Sequence, residues 1–129
     1  MIALDTNVVV RFLVNDDPAQ FRRARALIER GDIFIAPTVL LETEWVLRAG
    51  YGFRPPQIRR FLRALLGLPG VTTNDPARIA SALDAYEAGL DFADALHIAL
   101  SDRAEAFATF DGRLIRRGRN APGPKPIAP

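Results

Sequence analysis

Short apolar runs alternate with longer stretches in which apolar residues recur at helical spacing, and this predicts short strands separated by amphipathic helices. Ile2 to Leu4 read as a short buried strand. Asp5-Thr6-Asn7 follows, with side chains able to cap a helix over Val8 to Val14. Asn15-Asp16-Asp17-Pro18 predicts a turn and a new helix start. Phe21, Ala24, Leu27 and Ile28 then share one helical face until Gly31 stops it. Ile33 to Ala36 read as a second strand, and Pro37 opens a helix to about Ala49, ended by Gly50-Tyr51-Gly52.

Pro55-Pro56 starts a helix whose Ile58, Phe61, Leu62, Leu65 and Leu66 form one stripe, with Arg59, Arg60 and Arg63 opposite. Leu68 to Thr73, broken by Pro69-Gly70, supplies at most a short strand. Asp75-Pro76 opens a helix to about Ala88, and Asp91 caps another from Phe92 to about Glu105, apolar on most sides and therefore central. Phe107 to Phe110 read as a buried strand, Asp111-Gly112 as a turn into a short helix ending near Gly118. The tail from Arg119 is rich in Pro and Gly, with Pro126-Ile127-Ala128 fit for an edge strand. The expected fold is α/β, a central parallel sheet flanked by helices in three α/β/α layers. Ligands bind such sheets beyond the carboxyl ends of the strands, where Asp5 and Asp111 fall.

A chain of 129 residues with no repeat or linker is expected to form a single domain. With no cysteine, a disulfide framework, a thiolate metal site and thiol catalysis are all excluded, and one histidine disfavours a zinc site. A metal bound here would be a hard, oxygen-ligated ion. Residues 1–5 already read as strand, and the run Val8 to Val14, interrupted by Arg11, is too short to span a bilayer, so a cytoplasmic protein is expected. The net charge of +2 conceals a cation set of sixteen arginines and the single Lys125, suited to bidentate phosphate contact; a general arginine bias gives the same composition.

Four acids interrupt apolar stretches: Asp5, Glu42, Asp94 and Asp111. A buried carboxylate is costly unless paired, hydrogen-bonded or metal-bound, and a divalent cation answers all four at once. Each also has a structural role open to it. Asp5 and Asp111 fit as an N-cap and a turn residue, Asp94 fits the first turn of its helix alongside Asp91, and either Glu42 or Glu44 fits the wet face of its helix. His97 fits a satisfied core or rim position, or an outer-shell role, better than a ligand.

The order Leu4-Asp5-Thr6-Asn7, Leu41-Glu42-Thr43-Glu44-Trp45-Val46-Leu47, Asp91-Phe92-Ala93-Asp94-Ala95-Leu96-His97 and Ala108-Thr109-Phe110-Asp111 resembles the PIN-domain ribonucleases, in particular VapC toxins of VapBC toxin–antitoxin pairs. Each motif alone is weak; the four in order, across essentially the whole chain, carry the likeness. The resemblance implies an acidic pocket for one or two Mg²⁺ or Mn²⁺ ions, held by Asp5, Glu42, Asp94 and Asp111. Thr6, Asn7 and Thr109 match supporting positions, and Arg11, Arg48, Arg113, Arg116 and Arg117 are candidate contacts to RNA. It further implies a homodimer and a small VapB-type antitoxin, assembled as a heterotetramer or larger, and transfer or ribosomal RNA as target. Trp45, Tyr51, Phe53 and the Phe61 helix are candidates for the antitoxin surface, or for the core.

Four other readings compete. A PIN nuclease of RNA maturation or decay would show the same residues. A phosphoacceptor signalling domain wants paired acids after the first strand and a late sheet lysine, whereas Thr6 and Asn7 follow Asp5 and Lys125 lies in the tail. A haloacid-dehalogenase-like phosphatase would need Asp at position 7, where Asn7 stands. A catalytically silent binding module would have lost an acid, and all four are present.

Overall fold

The computed structural model describes residues 1–129, which divide into two compact units, Met1–Asn74 and Asp75–Pro129. The first unit runs β1 (Ile2–Ala3), α1 (Thr6–Val14), α2 (Pro18–Glu29), β2 (Ile33–Phe34), α3 (Pro37–Trp45), a π-helical turn (Val46–Gly50), α4 (Pro55–Leu66) and β3 (Val71–Thr72). Its sheet is parallel with order β1-β2-β3, Ile2 facing Ile33 and Ile33 facing Val71. Parallel neighbours need crossovers, which the helices supply. Because the strands point one way, their carboxyl ends share one edge, and Asp5 lies on it.

Sequence signals place these elements. Asp17 accepts a hydrogen bond from Gln20 N at the start of α2, and Pro18 occupies the first turn, where its missing N–H costs nothing. The stripe of α4 buries Ile58, Leu62 and Leu65 completely or nearly so, while Arg60 stays exposed and Arg59 and Arg63 are half-buried. Gly70, at φ +76°, brings the chain into β3 so closely that a Cβ there would lie 2.8 Å from Gly31 Cα. Only glycine fits both the left-handed backbone and that approach.

The second unit runs α5 (Pro76–Glu87), α6 (Phe92–Ala99), β4 (Ala106–Ala108), α7 (Gly112–Arg117), a 3₁₀ turn (Gly118–Asn120) and β5 (Lys125–Ile127). Helices α5 and α6 pack together, with the Tyr86 and Phe92 rings 5.0 Å apart. Strands β4 and β5 pair in parallel, Phe107 facing Pro126. No helix is long and apolar enough to cross a membrane.

Several elements differ from the sequence expectation. In β1, Ile2 and Ala3 are exposed and only the following Leu4 is buried. Helix α6 ends at Ala99 rather than near Glu105; just beyond it Ser101 Oγ donates to His97 O at 2.7 Å, satisfying a last-turn carbonyl, and Asp102 pairs with Arg78. The expected buried strand Phe107 to Phe110 shrinks to Ala106–Ala108, and Phe110, on the bend before α7, is 93% exposed. Helix α3 loosens into a π turn in which Tyr51 N reaches Val46 O, a change of winding no local propensity announces.

Candidate active site

Asp5 follows β1, is exposed, and caps α1 by accepting a hydrogen bond through Oδ1 from Thr6 N at 2.8 Å. Its Oδ2 has no protein partner. Thr6 is buried beneath it, with its hydroxyl lacking any partner.

Glu42 lies on α3, exposed, with no ion pair or hydrogen bond to its carboxylate. Two residues on, Glu44 turns inward: it is 2% exposed and its Oε2 accepts from Arg48 Nε at 2.8 Å. Glu42 therefore takes the solvent side of α3 and Glu44 the interior. Between them Thr43 is fully buried with an unpartnered hydroxyl.

Asp94 sits in the first turn of α6, half-buried, where Asp91 caps the helix by accepting from Asp94 N at 3.2 Å. Burial pushes the Asp94 carboxyl above its ordinary value, and the negative charges of Asp91 and Asp111 push it further, against a weaker opposing pull from His97. No cation is paired with it. Asp111 is exposed and caps α7, its Oδ1 accepting from Arg113 N at 2.9 Å and Leu114 N at 3.3 Å. Thr109 Oγ1 accepts from Asp111 N at 3.1 Å, fixing the backbone that presents the acid. Asp111 Oδ2, like Asp5 Oδ2, is left without a protein donor.

The premise that all four acids are buried is thus corrected: Asp5, Glu42 and Asp111 are exposed and Asp94 alone is half-buried. Asp5 and Asp111 cap helices, Asp94 lies in a first turn and Glu42 takes the solvent side of α3, and such places reach solvent even between apolar segments. Each unit contributes two of the four, Asp5 and Glu42 in the first, Asp94 and Asp111 in the second. No three Asp, Glu or His side chains stand together at metal-binding distance. The donor set nevertheless suits a hard cation: two carboxylates that are wholly unpaired, and two that spend one oxygen on a helix cap and keep the other.

The candidate arginines differ in their freedom. Arg11 donates from Nε to Gln20 at 2.7 Å and from Nη1 to Asp16 at 3.0 Å and Tyr51 Oη at 3.1 Å, tying α1 to the start of α2 and to the turn after α3. Arg48 is tied to Glu44. Arg113 and Arg116 are exposed on α7, and Arg117 donates to Gly89 O at 3.0 Å. Asn7 is exposed at the start of α1, His97 is exposed on α6, and of the aromatic candidates Trp45 is 59% and Tyr51 37% exposed, while Phe53 and Phe61 meet edge to face at 5.3 Å.

Sequence reasoning missed the buried role of Glu44. The signal was there in the spacing of Glu44 and Arg48, one helical turn apart, which favours an ion pair. It also missed the network of Arg11, Asp16 and Tyr51, whose members lie too far apart in sequence to be matched without the fold.

No curated protein matches the chain. The family model described as PIN domain matches residues 2–120, and PIN domains form a superfamily of nucleases with an α/β fold. A match over nearly the whole length, with the parallel strands and capped acids in the expected order, establishes that the chain belongs to the PIN-domain family.

Proposed function

We propose that this protein is a Mg²⁺- or Mn²⁺-dependent endoribonuclease that acts as the toxin of a VapC-type toxin–antitoxin pair. The observation that carries the nuclease reading is the state of the four acids: none is neutralised by a protein cation, and each keeps at least one oxygen free. Asp5, Glu42, Asp94 and Asp111 would hold the ion through those oxygens. The chemistry a divalent cation supplies to them is neutralisation of charge on a scissile phosphate and acidification of an attacking water.

The chain's own residues do the rest. Thr6 N fixes the Asp5 carboxylate, and Arg113 N and Leu114 N fix that of Asp111, so neither has to be ordered when substrate arrives. Glu42 has both oxygens free and is the acid best able to orient the water and take its proton. Asp94 holds an uncomfortable charge that a cation relieves. Arg113 and Arg116 supply exposed guanidinium groups for backbone phosphates. The toxin role, with transfer or ribosomal RNA as target and a homodimer neutralised by an antitoxin, rests on chain size and motif order alone.

Incubation of the protein with end-labelled RNA should give cleavage with Mg²⁺ or Mn²⁺ and none with EDTA, and Asp5→Asn and Asp94→Asn should each abolish it. Cleavage in EDTA, or full activity in either variant, would remove the metal-site assignment. For the toxin role, expression should arrest growth unless the neighbouring gene is co-expressed. Growth unaffected by expression, with cleavage intact in vitro, would move the protein to RNA processing or decay.

A further inference from the structure

Helices α1 and α2 of the first unit enclose a cleft of about 760 Å³. Its walls carry Asn7, Val8 and Arg11 from α1, Arg23 and Leu27 from α2 and Arg30 at the C-cap of α2, and no acid lines it. The only charges a ligand meets there are positive, among aliphatic surface and the amides of Asn7 and Gln20.

Arg23, Leu27 and Arg30 share one face of α2, the two arginines about 10 Å apart along the axis at the rise of an α-helix. Both are exposed and neither has an ion-pair partner, whereas Arg25 on the same helix is held by Glu29 at 2.6 Å. Across the cleft the guanidinium of Arg11 is fixed through Nε and Nη1 by Gln20, Asp16 and Tyr51, which leaves Nη2 for another acceptor. One unpaired couple of cations thus faces one that is already oriented. Asn7, which also lines the cleft, lies two residues beyond Asp5 at the start of α1.

From this placement we infer that the α1–α2 cleft is a binding track for single-stranded RNA, gripping backbone phosphates with Arg11, Arg23 and Arg30 while bases lie against Val8 and Leu27. The inference rests on the nuclease reading and adds to it a substrate contact on the first unit. An acidic amphipathic peptide would also find charge complementarity here. RNA is favoured because every charge in the cleft is a guanidinium, matched to phosphate bidentately.

The test uses the full-length protein in EDTA, so that binding is read without cleavage, with a short fluorescein-labelled single-stranded RNA titrated at several salt concentrations. Arg23→Ala/Arg30→Ala should weaken binding about tenfold or more and flatten the slope of log K against log salt by about 1.4, two phosphate contacts at ~0.7 each. Arg23→Lys/Arg30→Lys should recover most of that slope. Unchanged binding in the alanine variant, or an equal loss in Arg22→Ala/Arg25→Ala, overturns the cleft assignment. So does tighter binding of an acidic amphipathic peptide that the alanine variant abolishes, which assigns the cleft to a protein partner. Wild type that cleaves this RNA with Mg²⁺ while the alanine variant binds normally leaves the nuclease reading standing and removes the cleft. Wild type that neither binds nor cleaves it removes both.

Discussion

Glu44 Oε2 lies 2.8 Å from Arg48 Nε one turn further on, with the glutamate 2% exposed and the arginine 43%. The acid is buried, its partner only half so, and α3 passes into its π turn between them. Two residues earlier Glu42 carries the same functional group with neither burial nor partner. Identical chemistry therefore serves stability at one position and is free for catalysis at the other.

Glu44→Ala should lower unfolding stability by about 1–3 kcal/mol, because it removes a charge-assisted hydrogen bond and leaves a void where the buried side chain stood. Glu42→Gln should stay within about 0.5 kcal/mol of wild type and lose nuclease activity. Urea denaturation monitored by far-ultraviolet circular dichroism, with cleavage assayed on the same preparations, separates the two. A stable, inactive Glu44 variant together with a destabilised Glu42 variant would reverse the assignment.

Asp94 predicts a pH dependence. Its folded-state pKa lies above the unfolded value of 3.8, so ionisation costs folding stability. That cost is absent below the unfolded pKa, grows as pH rises through the raised folded pKa, and is complete above it. Asp94→Asn should accordingly raise the Tm of the metal-free protein at neutral pH, with the gap closing below pH 3.8. Added Mn²⁺ should raise the Tm of wild type at neutral pH and leave that of the variant nearly unchanged. Equal Mn²⁺ shifts in the two proteins would show that the ion does not use Asp94.

Asp111 has two jobs that substitution can separate. Alanine removes the acceptor for Arg113 N and Leu114 N and should cost about 1 kcal/mol; asparagine keeps the cap and should cost only a few tenths. Both should impair metal-dependent cleavage. Thermal melts of Asp111→Ala and Asp111→Asn in EDTA check the first statement, and cleavage rates of the asparagine variant check the second.

Gly70→Ala should destabilise the first unit by more than about 1 kcal/mol, since alanine resists φ +76° and its Cβ would press on Gly31 Cα. Ile33 N bonds Gly70 O at 2.7 Å, so amide exchange at Ile33 should accelerate in the variant while Leu62 in α4 changes less. Unchanged protection at Ile33 would mean the turn has room that the close approach denies.

Helix starts are the most legible part of the fold. Asp5, Asp17, Asp91 and Asp111 each cap the helix their sequence context predicts, because a cap needs only a short side chain and the next few N–H groups. Strand extent is less legible. The run Phe107 to Phe110 is apolar enough for an interior strand, but its length is set by what Ile127 O and the α7 cap accept, and Phe110 is left outside. The site is legible as a set of four acids and their order, and illegible in environment: three of them stand in solvent while a fifth, Glu44, is the one buried.

By itself the sequence determined where helices begin, that the strands are parallel neighbours separated by crossovers, and which four carboxylates recur in the order of a PIN domain. These depend on contacts a few residues long, or on motifs carried intact in the chain. Only the tertiary structure decided that Glu44 rather than Glu42 turns inward, that α6 stops at Ala99, and that Arg11 is held by Asp16 and Tyr51 while Arg23 and Arg30 are left unpaired. Burial and pairing depend on which helix face meets a neighbour remote in sequence, and periodicity names the face without naming the neighbour.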